Sequence, residues 1–219
     1  MSGMILGVHI AAGLAALLAA GAALGARKGG ALHRGAGRVF VLAMLAVTLT
    51  TLALVALRPN LFLFLVGIFS FHLVFTGWRA GALRDGRPRA LDHVAGGAMA
   101  LAAGAMLGLG GASLLGGDLL GGDLLGGGGS RPVVLIVFGA IGLALALSDW
   151  RGWRAGPVQG RARIARHLTR MLAGTVAAIT AAGVVNLGGL PELVLWLGPT
   201  LVMTPVILWW TLRTLRPAR

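Results

Sequence analysis

Cysteine is absent from the 219 residues of this chain. Its absence excludes disulfide bridges, thiolate metal sites and cysteine nucleophiles. Charge is scarce too: Asp, Glu, Lys and Arg make up 11% of the residues, against about 25% in soluble domains. Acids are scarcest, six against nineteen Lys and Arg. A carboxylate-rich divalent-metal site is therefore short of ligands. No cation precedes the first apolar run, so the N-terminal stretch lacks the basic region of a secretory signal and reads as a retained membrane helix.

Hydrocarbon fills the space that charge leaves. Apolar residues make up 57% of the chain and its mean hydropathy is +0.88. So much apolar surface cannot be hidden by folding on itself, which makes the lipid bilayer the natural solvent. The net charge of +13 and pI near 12.0 would suggest nucleic acid. The arginines, however, stand between apolar runs rather than on one face of a domain, which excludes a nucleic-acid partner.

Seven apolar runs match or approach the length that crosses a hydrocarbon core of about 30 Å at 1.5 Å per residue. They lie near Met4–Gly25, Val39–Leu57, Leu61–Trp78, Val94–Leu115, Val133–Asp149, Met171–Leu187 and Leu193–Leu212. Helices satisfy their own backbone hydrogen bonds without water. The expectation is an all-α polytopic membrane bundle of about seven helices, a single domain over 1–219. Four cations follow the first run, four the third and six the fifth, and three end the chain, while Arg58 and Arg131 alone fall on the opposite side. The positive-inside rule then places the N-terminus outside and the C-terminus in the cytoplasm. Trp78, Trp150 and Trp153 fall at the inner boundary, where aromatic belts form.

Small residues recur at four-residue spacing in Gly21/Gly25, Gly96/Ala100/Gly104/Gly108 and Gly174/Ala178/Ala182, which reads as close packing within the bundle. Pro199 and Pro205 are expected to bend the last helix. Two GGDLL units sit in an external glycine-rich loop at about 116–131. Two copies are too few for a calcium solenoid and read as a flexible linker.

Residues 28–38, KGGALHRGAGR, gather cations, a histidine and glycines between two spans. This is no nucleotide loop, because Lys28 precedes the glycines and a membrane helix precedes Lys28. The glycines permit a tight turn, and Lys28, Arg34 and Arg38 hold it at the cytoplasmic headgroups.

Five histidines are the main chemical candidates. His9 lies about 8 Å below the outer edge, and His72 about 9 Å above the Trp78 boundary, by helical rise. His33, His93 and His167 fall at the inner ends of helices two, four and six. Asp149 closes the fifth run, and Arg38 or Arg170 would be its partner, since an intramembrane carboxylate is costly unpaired. Helices two, four and six all begin on this side, so their dipoles favour an anion there. As a functional site, the cluster would bind a cofactor, an anionic or quinone-like head group, or protons. As interfacial residues, the same side chains would cap helices and bond headgroups. Haem would need two histidines at matching depth, which His9 and His72 do not provide.

His9, KGGALHRGAGRVFVLAM, FSFHLVFTGWRA, and DWRGW with RIARHLTRMLAGTVAAITA together resemble a bacterial family of multi-spanning membrane proteins catalogued as domain of unknown function 2306. By the resemblance, His9, Lys28, His33, Gly37, Arg38, Trp78, Asp149, His167 and Arg170 match its pattern. The chain departs from it at His72, where an aromatic residue is more usual, and at Ala181 and Ala182. The resemblance implies membrane class and carries no activity.

The expectation is a bacterial inner-membrane, multi-pass protein with a polar site at the cytoplasmic ends of helices one, two, five and six. The leading reading is a redox or cofactor-binding protein of haem b or quinone type. In it, His9, His33, His72 and His167 would be ligands or proton carriers, with Lys28, Arg34, Arg38, Asp149 and Arg170 around them. The rivals are a small proton- or ion-coupled transporter, with His9 and Asp149 marking two ends of a polar path, and a module binding anionic lipid or a partner through its basic face. Oligomeric state is left open.

Overall fold

In the computed structural model, residues 2–116 and 129–216 are described. Met1, both GGDLL units but for Gly116, most of the loop expected at 116–131 and the last three residues lie outside them. Seven helices follow one another: α1 (Ser2–Gly25), α2 (Ala31–Leu57), α3 (Leu61–Ala82), α4 (Ala90–Leu114), α5 (Arg131–Ala155), α6 (Gly160–Asn186) and α7 (Glu192–Leu215). All seven are long and apolar enough to cross a membrane, so the chain forms a multi-pass helical bundle.

The helices alternate in direction. At one end the last turns of α1, α3, α5 and α7 meet the first turns of α2, α4 and α6. There His33 of α2 bonds Ala23 of α1, Arg79 of α3 pairs with Asp92 of α4, and Trp153 of α5 covers His93 of α4. Lys28, just past α1, lies over the Trp210 ring of α7 at 5.7 Å. The basic side chains collect here. At the other end Glu192 accepts from Ser130 N and pairs with Arg131, each at 3.2 Å. Asn60 caps α3 by accepting from Leu63 N at 2.9 Å, supplying one of the donors a helix start leaves open.

The apolar runs mark the spans but not their ends. α2 begins at Ala31 rather than near Val39, and α6 at Gly160 rather than near Met171. Both helices therefore start in polar sequence at the basic end. His167 and Arg170 consequently stand two to three turns inside α6 instead of opening it, by 3.6 residues per turn. α7 runs unbroken through Pro199 and Pro205.

The core lies between α3, α4 and α5. Phe62, Leu65, Phe69 and Leu73 of α3 pack with Met99, Met106, Leu135 and Phe138, and the Phe69 and Phe138 rings stack at 5.1 Å. Between apolar helices in lipid, close van der Waals contact replaces the hydrophobic effect as the packing force. Glycine makes that contact where it matters: a Cβ at Gly142 would lie 2.5 Å from Met99 Cε, and one at Gly174 would lie 2.7 Å from Val74 Cγ2. The small-residue rows are only partly used this way, since Gly21, Gly25, Gly104 and Gly108 face open space.

Candidate functional site

Asp149 lies about two turns from the basic end of α5 and, like His72, is only 1% exposed. Its Oδ1 accepts from Arg170 Nη2 at 2.7 Å and from Arg166 Nη2. These arginines are four residues apart, so they share one face of α6. Arg170, 3% exposed, also donates Nη2 to the Leu145 carbonyl at 3.2 Å. The backbones of α5 and α6 do not approach each other closely, and the long arginine side chains span the gap. Across the bundle α3 closes the cluster: a Cβ at Gly77 would lie 2.9 Å from Arg170 Cβ.

His72 of α3 completes the group. Its Nδ1 lies 3.2 Å from the Ala95 carbonyl, which can only accept, so Nδ1 carries a proton. Its Nε2 lies 3.1 Å from Arg170 Nη1 and 3.2 Å from Asp149 Oδ2. One nitrogen cannot serve both neighbours at once. As a lone pair it accepts from Arg170; as N–H it faces the carboxylate. The distance to Oδ2 qualifies as an ion pair, but no aligned hydrogen bond reaches that oxygen. Among the described residues, buried side-chain polar atoms without a partner are Asp149 Oδ2, Thr180 Oγ1 and Trp196 Nε1. Asp149 Oδ2 alone of these belongs to an ionisable group, and leaving such an atom unbonded costs about 1–3 kcal/mol or more.

Closer to the basic end, His33 and His167 face each other with ring centroids 6.3 Å apart and planes at 80°. His33 gives Nδ1–H to the Ala23 carbonyl at 3.0 Å, and His167 gives its own to the Gly77 carbonyl at 2.8 Å. Each bond fixes the tautomer and leaves Nε2 as the lone-pair atom. Gly81 makes room for the His167 ring, since a Cβ there would lie 2.7 Å from Nδ1. Of the four candidate histidines, these two have an uncommitted ring nitrogen and a histidine neighbour. His72 has both nitrogens engaged. His9 stands apart, bonded to Thr50 Oγ1 at 2.9 Å, about 21 Å along α1 from Ala23 by helical rise. Among the described residues no group of three or more His, Asp or Glu is close enough to hold a metal ion.

The charged residues of the glycine turn serve the helix ends instead. Lys28 donates to the Leu24 and Ala23 carbonyls at 2.6 and 3.2 Å, capping α1, and Arg34 donates to the Gly29 carbonyl. Arg38 is exposed and pairs with no acid among the described residues. Of the two partners expected for Asp149, Arg170 is the one in place. The polar site is accordingly built by α3, α5 and α6, with α1 and α2 adding only His33 and its carbonyl. Arg166 and the Arg79–Asp92 pair belong to the same end and were not among the expected site residues. The four-residue step from Arg166 to Arg170 was the sequence signal for the first.

A small cavity opens between the α3–α4 and α5–α6 turns, about 50 Å³ in volume. Arg79, Arg87, Asp92, Arg163 and Arg166 line it, with Thr76 at its inner end. It is half open and has room for ordered water or one small group.

Fold and cluster define a class: a seven-helix membrane bundle with a buried His–Asp–Arg group at its basic end. No family model, no curated protein and no solved structure matches the chain.

Proposed function

We propose that the protein is a small proton-coupled carrier of the bacterial inner membrane. His72, Asp149 and Arg170 are its proton site. The N-terminus lies outside, and the basic end and C-terminus lie in the cytoplasm. The charge asymmetry of the connecting segments supports that orientation. The bacterial membrane setting is likewise part of this proposal, and would follow if the resemblance to the domain of unknown function 2306 family, in which Asp149, His167 and Arg170 match, reflects kinship.

One observation carries the proton reading: Asp149 Oδ2 is buried and unbonded 3.2 Å from His72 Nε2. A proton on Nε2 favours the carboxylate, and its loss favours the bond from Arg170. The two states differ in which neighbour is satisfied, which is what a carrier needs if proton binding is to shift its conformation. Ionisable groups at this depth are expensive to keep without such a use.

A second reading has its own observation. The Nε2 atoms of His33 and His167 are pre-oriented and uncommitted, as in paired ligands of a redox centre such as haem b, or in donors and acceptors to a quinone.

One preparation separates the two. The full chain is purified in mild detergent after expression with haem precursor, and oxidised and reduced spectra are recorded. It is then reconstituted in liposomes loaded with a pH-sensitive dye. The expected outcome is a colourless protein whose imposed proton flux is lost in Asp149→Asn, compared at equal folded fraction because the variant leaves Arg170 without its counter-charge. Flux unaltered by Asp149→Asn would overturn the proton reading. Near-stoichiometric haem that is lost in a His33→Ala, His167→Ala variant would move the conclusion to the redox reading.

A further inference from the structure

We infer that the arginine-lined cavity at the basic end binds a phosphate group, and that the bound group competes with Asp149 for Arg166. The cavity lies outside the His–Asp–Arg cluster but shares one residue with it. Four arginines line it against one carboxylate. Each guanidinium has donors to spare among its five N–H groups. Arg79 spends Nε and Nη2 on Asp92, which leaves Nη1. Arg163 spends Nη1 on the Ala80 and Gly81 carbonyls at 2.9 and 3.0 Å, which leaves Nε and Nη2. Arg166 spends Nη2 on Asp149. The Arg87 side chain is exposed and bonds no group among the described residues. So much unspent donor capacity around one small space suits a compact anion with several acceptor oxygens.

The walls are held in place by backbone. Val158 N donates to Gly86 O at 3.2 Å, and Gln159 Nε2 donates to Asp85 O at 3.2 Å, which stitches the two turns together. Gly86 has a φ of +64°, and a Cβ on it would lie 2.2 Å from Val158 O, so this stitch requires glycine. α4 and α6 begin at the same rim, at Ala90 and Gly160, and their N-terminal dipoles add to the positive field. A volume of about 50 Å³ suits one small anionic group. Arg166 is the link inward, because it lines the cavity and bonds Asp149. An anion that draws its guanidinium outward removes one of the two donors on Asp149 Oδ1. In that respect the inference rests on the proton reading; the binding site itself does not.

The phosphate group could come from free inorganic phosphate or from an anionic lipid head, and the test separates them. Full-length protein in detergent is titrated with inorganic phosphate by calorimetry. Lipid retained by the protein from phosphatidic acid nanodiscs is measured in parallel, with and without inorganic phosphate as competitor. Arg87→Gln and Arg163→Gln are compared with Arg213→Gln, which lies away from the cavity. The Arg87 side chain makes no bond among the described residues, and its backbone N–H to Asp85 is kept in the variant, so the variant keeps the fold. Either ligand should bind saturably and lose about tenfold in affinity in Arg87→Gln and Arg163→Gln, the worth of one charge-assisted hydrogen bond, with Arg213→Gln unchanged. Calorimetric binding identifies the free ion as the source; retained lipid that inorganic phosphate does not displace identifies the head group. Absence of both, or equal losses in all three variants, overturns the inference. The readout is binding, so a failed phosphate site and a failed proton site give different results.

Discussion

Two aspartates sit at the same end of the bundle, both buried and both paired with arginine, yet they are satisfied very differently. Asp92, at the start of α4, has both oxygens occupied. Oδ1 accepts from Arg79 Nε at 2.7 Å, and Oδ2 accepts from Arg79 Nη2 and from Arg89 N at 2.8 Å. It is a closed forked pair that also caps its own helix. Asp149 draws two arginines onto Oδ1 and leaves Oδ2 facing a histidine with no aligned bond. Pairing alone does not mark a working site. The unfinished hydrogen bond is what distinguishes Asp149, and it is the observation on which the proposed proton site rests.

The largest effect expected from this contrast is that of Asp149→Leu. It strands Arg170 and Arg166 without a counter-charge, and breaking one side of a buried pair costs about 3–5 kcal/mol. Thermal unfolding in detergent should show the protein barely stable or absent. Asp92→Leu should cost less, about 1.5–3 kcal/mol for lost bonds to a charged group, because Arg79 stands near the helix end and can extend towards water. Equal losses at the two positions would erase the distinction. His72→Phe should cost a similar amount to Asp92→Leu, about 1.5–3 kcal/mol for the bonds from Arg170 and to the Ala95 carbonyl, since Oδ2 has no aligned bond to lose. A loss as large as that of Asp149→Leu would mean that the imidazole holds Oδ2 after all.

The seven spans were legible in the sequence because lipid demands long apolar runs and nothing else in the chain imitates them. The helix starts were not. Residues 31–38 and 160–170 look like connecting sequence, but their polar side chains find partners on α1, α3 and α5, which no local pattern encodes. The choice between Arg38 and Arg170 for Asp149 was open for the same reason, since only the packing of α6 against α3 decides it. Glycines were equally ambiguous. Gly77 and Gly104 read alike, but Gly77 touches Arg170 while Gly104 meets nothing within 4 Å. His72 was legible as a deep histidine. Its pairing with Asp149 was not, because the two lie on different helices, far apart in sequence.

The bridge from Arg170 to Asp149 has a consequence for how the chain is made. α5 is synthesised before α6, so Asp149 reaches the insertion machinery with neither of its arginines yet available. A lone aspartate or arginine opposes insertion by about 2.5–3.5 kcal/mol at a helix centre and by less towards its ends, where Asp149 stands. Each helix therefore carries a handicap that only the other removes. The α5–α6 hairpin is best released into lipid as a unit, and a chain stopped between the two should linger at the translocation channel or be degraded. The same ion pair that shapes the finished site thus sets the order in which the membrane accepts its parts.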